Sequence, residues 1–298
     1  MVATAKNTLA LSDEFRRLSD PVIIIGMHRS GTSLVAGLLH ILGVYVDPEL
    51  SQQDNAEILS VPSSIARQNG YGEATSFRLL NEEIMAQSGA NWDNVLPFMA
   101  VRDQLIYAQR SVEAIVRASH STLKQDYLSS LPENYSGHWG WKDPRNSLTL
   151  PYWLEVFPSA HLLHVTREVE GVVKSLMARA QAQSQEVKTV RGGLLKRLEQ
   201  AVYDPQAAVR AVQRRLFKDT KKVFPRFSML DREDCIRLSD IYFCECMRYS
   251  QSEYNYAEIS YEEIIAAPEL SIRKIVEMLQ LEAGEAAIIQ AVKFVSRP

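Results

Sequence analysis

Residues 26–33 read GMHRSGTS, directly after the apolar run VIII (22–25) and before an apolar stretch that begins at Leu34. Glycine, serine and threonine between a strand and a helix leave backbone N–H groups free at the helix N-terminus, and such a cradle receives phosphate oxygens. The nucleoside-triphosphate form of this loop, G-x-x-x-x-G-K-[ST], carries a lysine after its second glycine. Here Thr32 follows Gly31, Ser33 comes next, and the positive charge stands earlier, at Arg29. No hydrophobic run ending in aspartate stands out as a magnesium-holding element. The chemistry implied is anion binding in a backbone cradle, and a triphosphate kinase or GTPase is disfavoured.

TREVEGVVKS places Arg167 directly after the apolar run AHLLHVT (160–166) and Ser175 eight residues later. A guanidinium at a strand end can fork onto phosphate oxygens, and a serine about two helical turns on can donate one more hydrogen bond. A third basic residue, Lys142, sits in WKDPR (141–145), where Asp143 can equally serve as a cap for the helix after Pro144.

These residues need elements to position them. Val22–Ile25 suits a strand buried on both faces, and 137–143, 160–166 and 256–261 are further strand candidates. Helices are expected over 32–42, closed by Gly43, over 73–88, and over 99–119, where Val101, Leu105, Ala108, Val112 and Ile115 share one face. A further helix follows Thr166. Strands alternating with helices predict an α/β fold, a three-layer α/β/α arrangement around a mostly parallel sheet. Ligands in such folds bind outside the carboxyl ends of the strands, which points to the loops at 27–30, 142–145 and 167.

The chain has 298 residues and a net charge of −3, which argues against a nucleic-acid partner. Residues 1–20 form an N-terminal segment, expected to be loose, without the apolar core of a secretory signal; no run is long and apolar enough to span a membrane. Cys244 and Cys246 fall on opposite sides of a helix, Cys235 lies nearby, and a reduced, cytoplasmic setting follows. The histidines lack metal-ligand spacing, so no metal site is expected. Residues 187–226 hold eleven basic and three acidic residues, a net +8. This is either a pair of solvated helices or a basic helical insertion, spanning 181–226, that covers an anionic ligand.

Arg29 followed by Ser30, Gly31, Thr32 and Ser33, together with Arg167 and Ser175, resembles the sulfotransferases that use 3′-phosphoadenosine 5′-phosphosulfate (PAPS) and release 3′-phosphoadenosine 5′-phosphate (PAP). The likeness spans most of 21–298, with the H-R-S-G-T-S loop of bacterial members. WKDPR is similar to the K-D-P stretch of the tyrosylprotein branch, related to the Golgi-type enzymes, and ISYEEI (259–264) to the family's Y-E-D-L element. The C-terminal Arg-Lys-Gly of the cytosolic steroid and phenol enzymes is missing. The resemblance implies a P-loop-like fold, no metal, and in-line sulfuryl transfer to a hydroxyl or amine. It implies that His28 and the residues from Arg29 to Ser33 line the 5′-phosphosulfate site, with His28 in a packing role. It further implies that Arg167 and Ser175 hold the 3′-phosphate, that Tyr261 lies near the adenine, and that Lys142 faces the sulfuryl group. The general base is Glu73 or Glu49. A glycan, a lipid-linked hydroxyl or a small metabolite would each fit as acceptor. Two alternatives stay open: a P-loop phosphotransferase, and a non-catalytic nucleotide-binding protein.

Overall fold

Val22–Ile25 form β1, and all four side chains are buried because the sheet is covered on both faces. In the computed structural model, which describes residues 10–52, 72–132, 135–189 and 224–296, β1 lies inside a four-stranded sheet. Its partners are β2 (Gly140–Lys142), β3 (His161–Thr166) and β4 (Asn255–Ser260), in the order β2–β1–β3–β4. Every pairing among them is parallel, with Val22 beside both Gly140 and His161, and His161 beside Asn255. The chain steps from β1 to one neighbour and then across to the other, so the carboxyl end of β1 opens a crevice of the kind that receives ligands.

The helices, in chain order, begin with α1 (Asp13–Arg16), α2 (Thr32–Ile41), α3 (Pro48–Ser51), α4 (Thr75–Ala86), α5 (Leu96–Met99), α6 (Leu105–Ser119) and α7 (Thr122–Asp126). They continue with α8 (Asn146–Val156), α9 (Val169–Thr189), α10 (Arg232–Met247), α11 (Tyr261–Ala266), α12 (Pro268–Met278) and α13 (Glu285–Val295). Successive strand side chains point to opposite faces, and the core divides accordingly. Val22, Ile24, Leu163 and Val165 pack with Val35 and Leu38 of α2, Ile272 and Ile275 of α12 and Ile288 of α13. Ile23, Ile25, Trp141 and Leu162 pack with Phe77 of α4, Ile115 of α6, Trp153 of α8 and Tyr242 of α10. This is the expected α/β/α arrangement. Trp141 is fixed by stacking on Phe77, with ring centroids 4.3 Å apart, which holds the next residue, Lys142, at the strand end.

Several boundaries differ from expectation. The segment at 99–119 is broken, because Gln104 adopts an extended ψ of 129° before α6 begins. Just ahead of the break, Arg102 turns inward to a buried ion pair with Glu245 of α10, an anchor that a continuous helix would swing away. Leu105, expected on the buried face, is 72% exposed, since the first turn of α6 projects past the core. β2 starts at Gly140 rather than 137, with Trp139 making only an isolated bridge to Tyr45. β4 ends at Ser260, whose side chain caps α11 in a capping box, so Tyr261 opens a helix. Within the N-terminal segment α1 buries Phe15 against Trp139. Most of the basic stretch, 190–223, and the residues Asn69–Tyr71 lie outside the described residues.

Gly140 is where β1 and β2 come closest: a Cβ there would lie 1.9 Å from the carbonyl oxygen of Val22. Gly140→Ala is expected to cost about 3 kcal/mol or more, because the strands must separate or shift register. Urea unfolding of the purified variant checks this, and a loss below about 1 kcal/mol would contradict the packing.

Candidate active site

The loop after β1 turns through three residues with positive φ, Gly26 at 144°, Arg29 at 73° and Gly31 at 102°. Gly31 is the N-cap of α2 and no side chain caps the helix, so the N–H groups of its first turn remain available to an anion. A Cβ on Gly31 would meet the Tyr261 ring at 2.6 Å, so glycine is needed for both conformation and space.

Two elements from distant parts of the chain converge on this loop. Arg29 Nε donates to Ser175 Oγ of α9 at 2.8 Å, and Arg167 Nη1, from just beyond β3, donates to the Arg29 carbonyl oxygen at 3.0 Å. The Ser175 hydroxyl accepts in that bond, and its own hydrogen is left to donate elsewhere. The Arg167 guanidinium lies over the Tyr261 ring, 4.3 Å from its centroid, a cation–π contact that fixes the side chain. Burial, with the nearby cations Arg179 and Arg167, lowers the pKa of Arg29.

Lys142 enters from β2. Its Nζ donates to Glu73 Oε1 at 2.7 Å and to Ser33 Oγ of the loop at 3.2 Å. Burial pushes Glu73 up, but the Lys142 charge and hydrogen bond outweigh it and hold the carboxyl below its ordinary value. Behind Lys142 stands a closed polar network. Asn81 of α4 donates to Asp143 Oδ2 and Asn146 Oδ1, and its own carbonyl accepts from Thr149 and Trp153. Asn146 also donates to the Ile24 carbonyl of β1, and Arg145 bonds Asp143 at 2.8 Å and Glu82 at 3.1 Å. Burial opposes the Arg145 charge, yet the Asp143 and Glu82 carboxylates raise its pKa above the ordinary value. Asp143 is thus no simple helix cap; it is fully buried and clamps Arg145.

The Sulfotransferase family profile matches residues 21–285. The chain belongs to the sulfotransferase family. No curated protein matches it. Among solved structures, the sulfotransferase STF9 from Mycobacterium avium is similar with a TM-score of 0.50 and 14% identity, over 93% of this chain and 68% of that one. The sulfotransferase domain of the olefin synthase from Synechococcus PCC 7002 aligns with a TM-score of 0.40 and 13% identity, over 94% of this chain and 82% of that one. The first of these likenesses shows the shared fold.

In this sulfotransferase the expected site residues form two groups that meet at the loop: Arg29 with Arg167, Ser175 and Tyr261, and Ser33 with Lys142 and Glu73. Ser30 and Thr32 are buried in the loop. His28 is buried between Trp92, at 4.6 Å between ring centroids, and Tyr242 at 5.9 Å. Burial first, then the surrounding Arg145, Arg179, Lys142 and Arg29 charges, keep its pKa well below the ordinary value, so the ring is neutral. Glu49 stands exposed on α3 and forms no ion pair among the described residues.

The neighbouring Asp47, which sequence reasoning missed, is 3% exposed and caps α3 by accepting from Glu49 N. Its signal in the sequence is the D-P-E start of a helix. Trp92 and Arg179 were also missed; packing alone brings them to the site. Burial, with smaller contributions from Glu49 and Glu73, raises Asp47 from 3.8 to about 6 against the opposing Glu49 N–H and Lys142. The folded chain therefore holds this proton more tightly than the unfolded chain, and stability is lost as pH rises from about 4 through about 6. Asp47→Asn keeps the capping acceptor and is expected to be more stable than the parent at pH 8 by on the order of 1–3 kcal/mol, with the gain gone near pH 4. Urea unfolding at both pH values tests this; a gain equal at the two would contradict it.

Proposed function

We propose that this sulfotransferase takes its sulfuryl group from PAPS and delivers it to a hydroxyl or amine by in-line displacement. One observation carries the donor assignment: the loop residue Arg29 is hydrogen-bonded to Ser175, and Arg167 to the Arg29 backbone. Two anion-binding elements joined in this way suit a ligand with two separated phosphates. The residues also fit the donor in a second respect, because Ser30 Oγ and Arg167 Nε are buried without a hydrogen-bond partner, and unsatisfied buried groups are costly unless a ligand completes them.

Bound PAPS would supply a sulfuryl group whose bond to the 5′-phosphate oxygen breaks, the electron pair staying on that oxygen, as the acceptor oxygen or nitrogen bonds to sulfur. Within the chain, the α2 N–H groups, Thr32 and Ser33 hold the 5′-phosphate side, and Arg29 neutralises charge on the reacting group. Arg167 and Ser175 hold the 3′-phosphate, and Tyr261 braces Arg167. Lys142 uses two of its three N–H donors on Glu73 and Ser33; the third serves the oxygen on which charge develops. Glu73, held ionised by Lys142, accepts the acceptor's proton. Positioning and electrostatics carry the rate, as in phosphoryl transfer.

PAP is expected to bind with micromolar affinity in the presence of EDTA, measured by titration calorimetry; a flat titration overturns the donor assignment. Arg167→Ala is expected to weaken PAP binding about tenfold or more, at roughly 1.4 kcal/mol per tenfold. Arg29→Ala should lower sulfate transfer from radiolabelled PAPS by about 10²-fold or more, a size typical of a lost electrostatic stabiliser. Equal losses of affinity with turnover unchanged in both variants would contradict these roles.

A further inference from the structure

Among the described residues five cations gather beside the loop, and four have partners of defined purpose. Lys142 is paired with Glu73, and Arg145 with Asp143 and Glu82. Arg29 and Arg167 are tied to Ser175 and to the loop backbone. The fifth is Arg179 of α9, which forms no ion pair among the described residues. Its Nε is buried and lacks a hydrogen-bond partner, and its guanidinium rests over the Trp92 ring, 5.6 Å from the centroid. A free arginine on a helix would swing to water; this one is held half-buried beside like charges, with burial lowering its pKa.

Arg179 comes one helical turn after Ser175, about 6 Å further along α9 at 1.5 Å per residue. It is therefore carried away from Arg167, which precedes the start of the same helix, and into electrostatic range of Glu73. Trp92 forms a fixed wall there: its carbonyl accepts from Tyr242 Oη at 2.9 Å, and neutral His28 packs against its ring, with Nε2 buried and unpartnered. A flat aromatic surface braced by His28, and a guanidinium that has no ion-paired carboxylate among the described residues, together suit a ring that bears an anionic group.

We infer that Arg179, Trp92 and His28 form an acceptor subsite, and that the acceptor is a ring compound carrying a carboxylate or similar anion beside the hydroxyl that receives sulfate. This inference rests on the donor assignment above, since it takes Arg29, Arg167 and Ser175 to be occupied by the donor.

The test uses the full chain saturated with PAP. Matched pairs of ring compounds are titrated by calorimetry: 4-hydroxyphenylacetate, 4-hydroxybenzoate and glucuronate, each against its carboxamide. At least one acid is expected to bind about tenfold tighter than its amide, and Arg179→Gln is expected to erase that preference while leaving PAP affinity within about twofold. Equal binding of acid and amide in every pair, including binding of neither, overturns the subsite while PAP binding stands. A loss of PAP affinity in Arg179→Gln as large as that in Arg167→Ala also overturns it and moves Arg179 to the donor side. Failure of the parent chain to bind PAP overturns the donor assignment instead, and the subsite with it.

Discussion

A lysine ammonium with 1% of its surface exposed is the constraint around which this site is arranged. Removing such a charge from water costs several kcal/mol unless a close partner and further hydrogen bonds compensate. The compensation comes from Glu73 and Ser33, and these two residues belong to different parts of the chain. Lys142 ends β2, Glu73 precedes α4 and Ser33 opens α2. Burying one amine therefore ties the edge strand, the segment that leads into α4 and the loop after β1 to a common point. Loss of Glu73 would leave the Lys142 charge buried and uncompensated.

The same logic extends behind Lys142. The side-chain amide of Asn81 has all of its hydrogen-bonding capacity engaged, by Asp143, Asn146, Thr149 and Trp153. Buried polar networks are stabilising only when every member is satisfied, and this one closes on the β1 backbone through Asn146. Ser147 continues the connection by accepting from the Gly26 N–H, the first amide of the loop, at 2.9 Å. The start of α8 thus positions Lys142 and fixes the beginning of the loop after β1. Its buried polar residues, from Asp143 to Thr149, are explained by this double duty rather than by core packing.

Much of this was legible in the sequence where burial is two-sided. Val22–Ile25 and His161–Thr166 are runs that only a covered sheet explains, and the small-residue loop between β1 and α2 follows from local chemistry. Arg29 could be named from the local chemistry of its loop, and Arg167, Ser175 and Lys142 from stretches that resemble sulfotransferase motifs. Asp47, Trp92, Arg179 and Asn81 could not, since their relation to the site arises from tertiary packing between segments far apart in sequence. The break before α6 was hidden for a related reason: periodicity at 99–119 is helical throughout, and the interruption is imposed by the Arg102–Glu245 pair. Local pattern did not decide between Glu73 and Glu49; in the fold Glu73 contacts Lys142, whereas Glu49 stands exposed on α3.

The loop itself shows why its charge was displaced. In the triphosphate-binding form a lysine follows the second glycine, but that place belongs here to Thr32, which is 3% exposed and packed at the start of α2. A lysine there would have to force its way into the packing of α2. Arg29 instead occupies a left-handed conformation, unusual for a residue with a side chain, and that turn sends its guanidinium across to Ser175 on α9. The cation that approaches the loop from the side is Lys142, bonded to Ser33, the residue after Thr32. One lysine on the loop is thus replaced by two cations on rigid flanks, one from the loop's own strained turn and one from the adjacent strand. Each is braced by protein groups of its own, so the loop takes its shape from contacts within the chain.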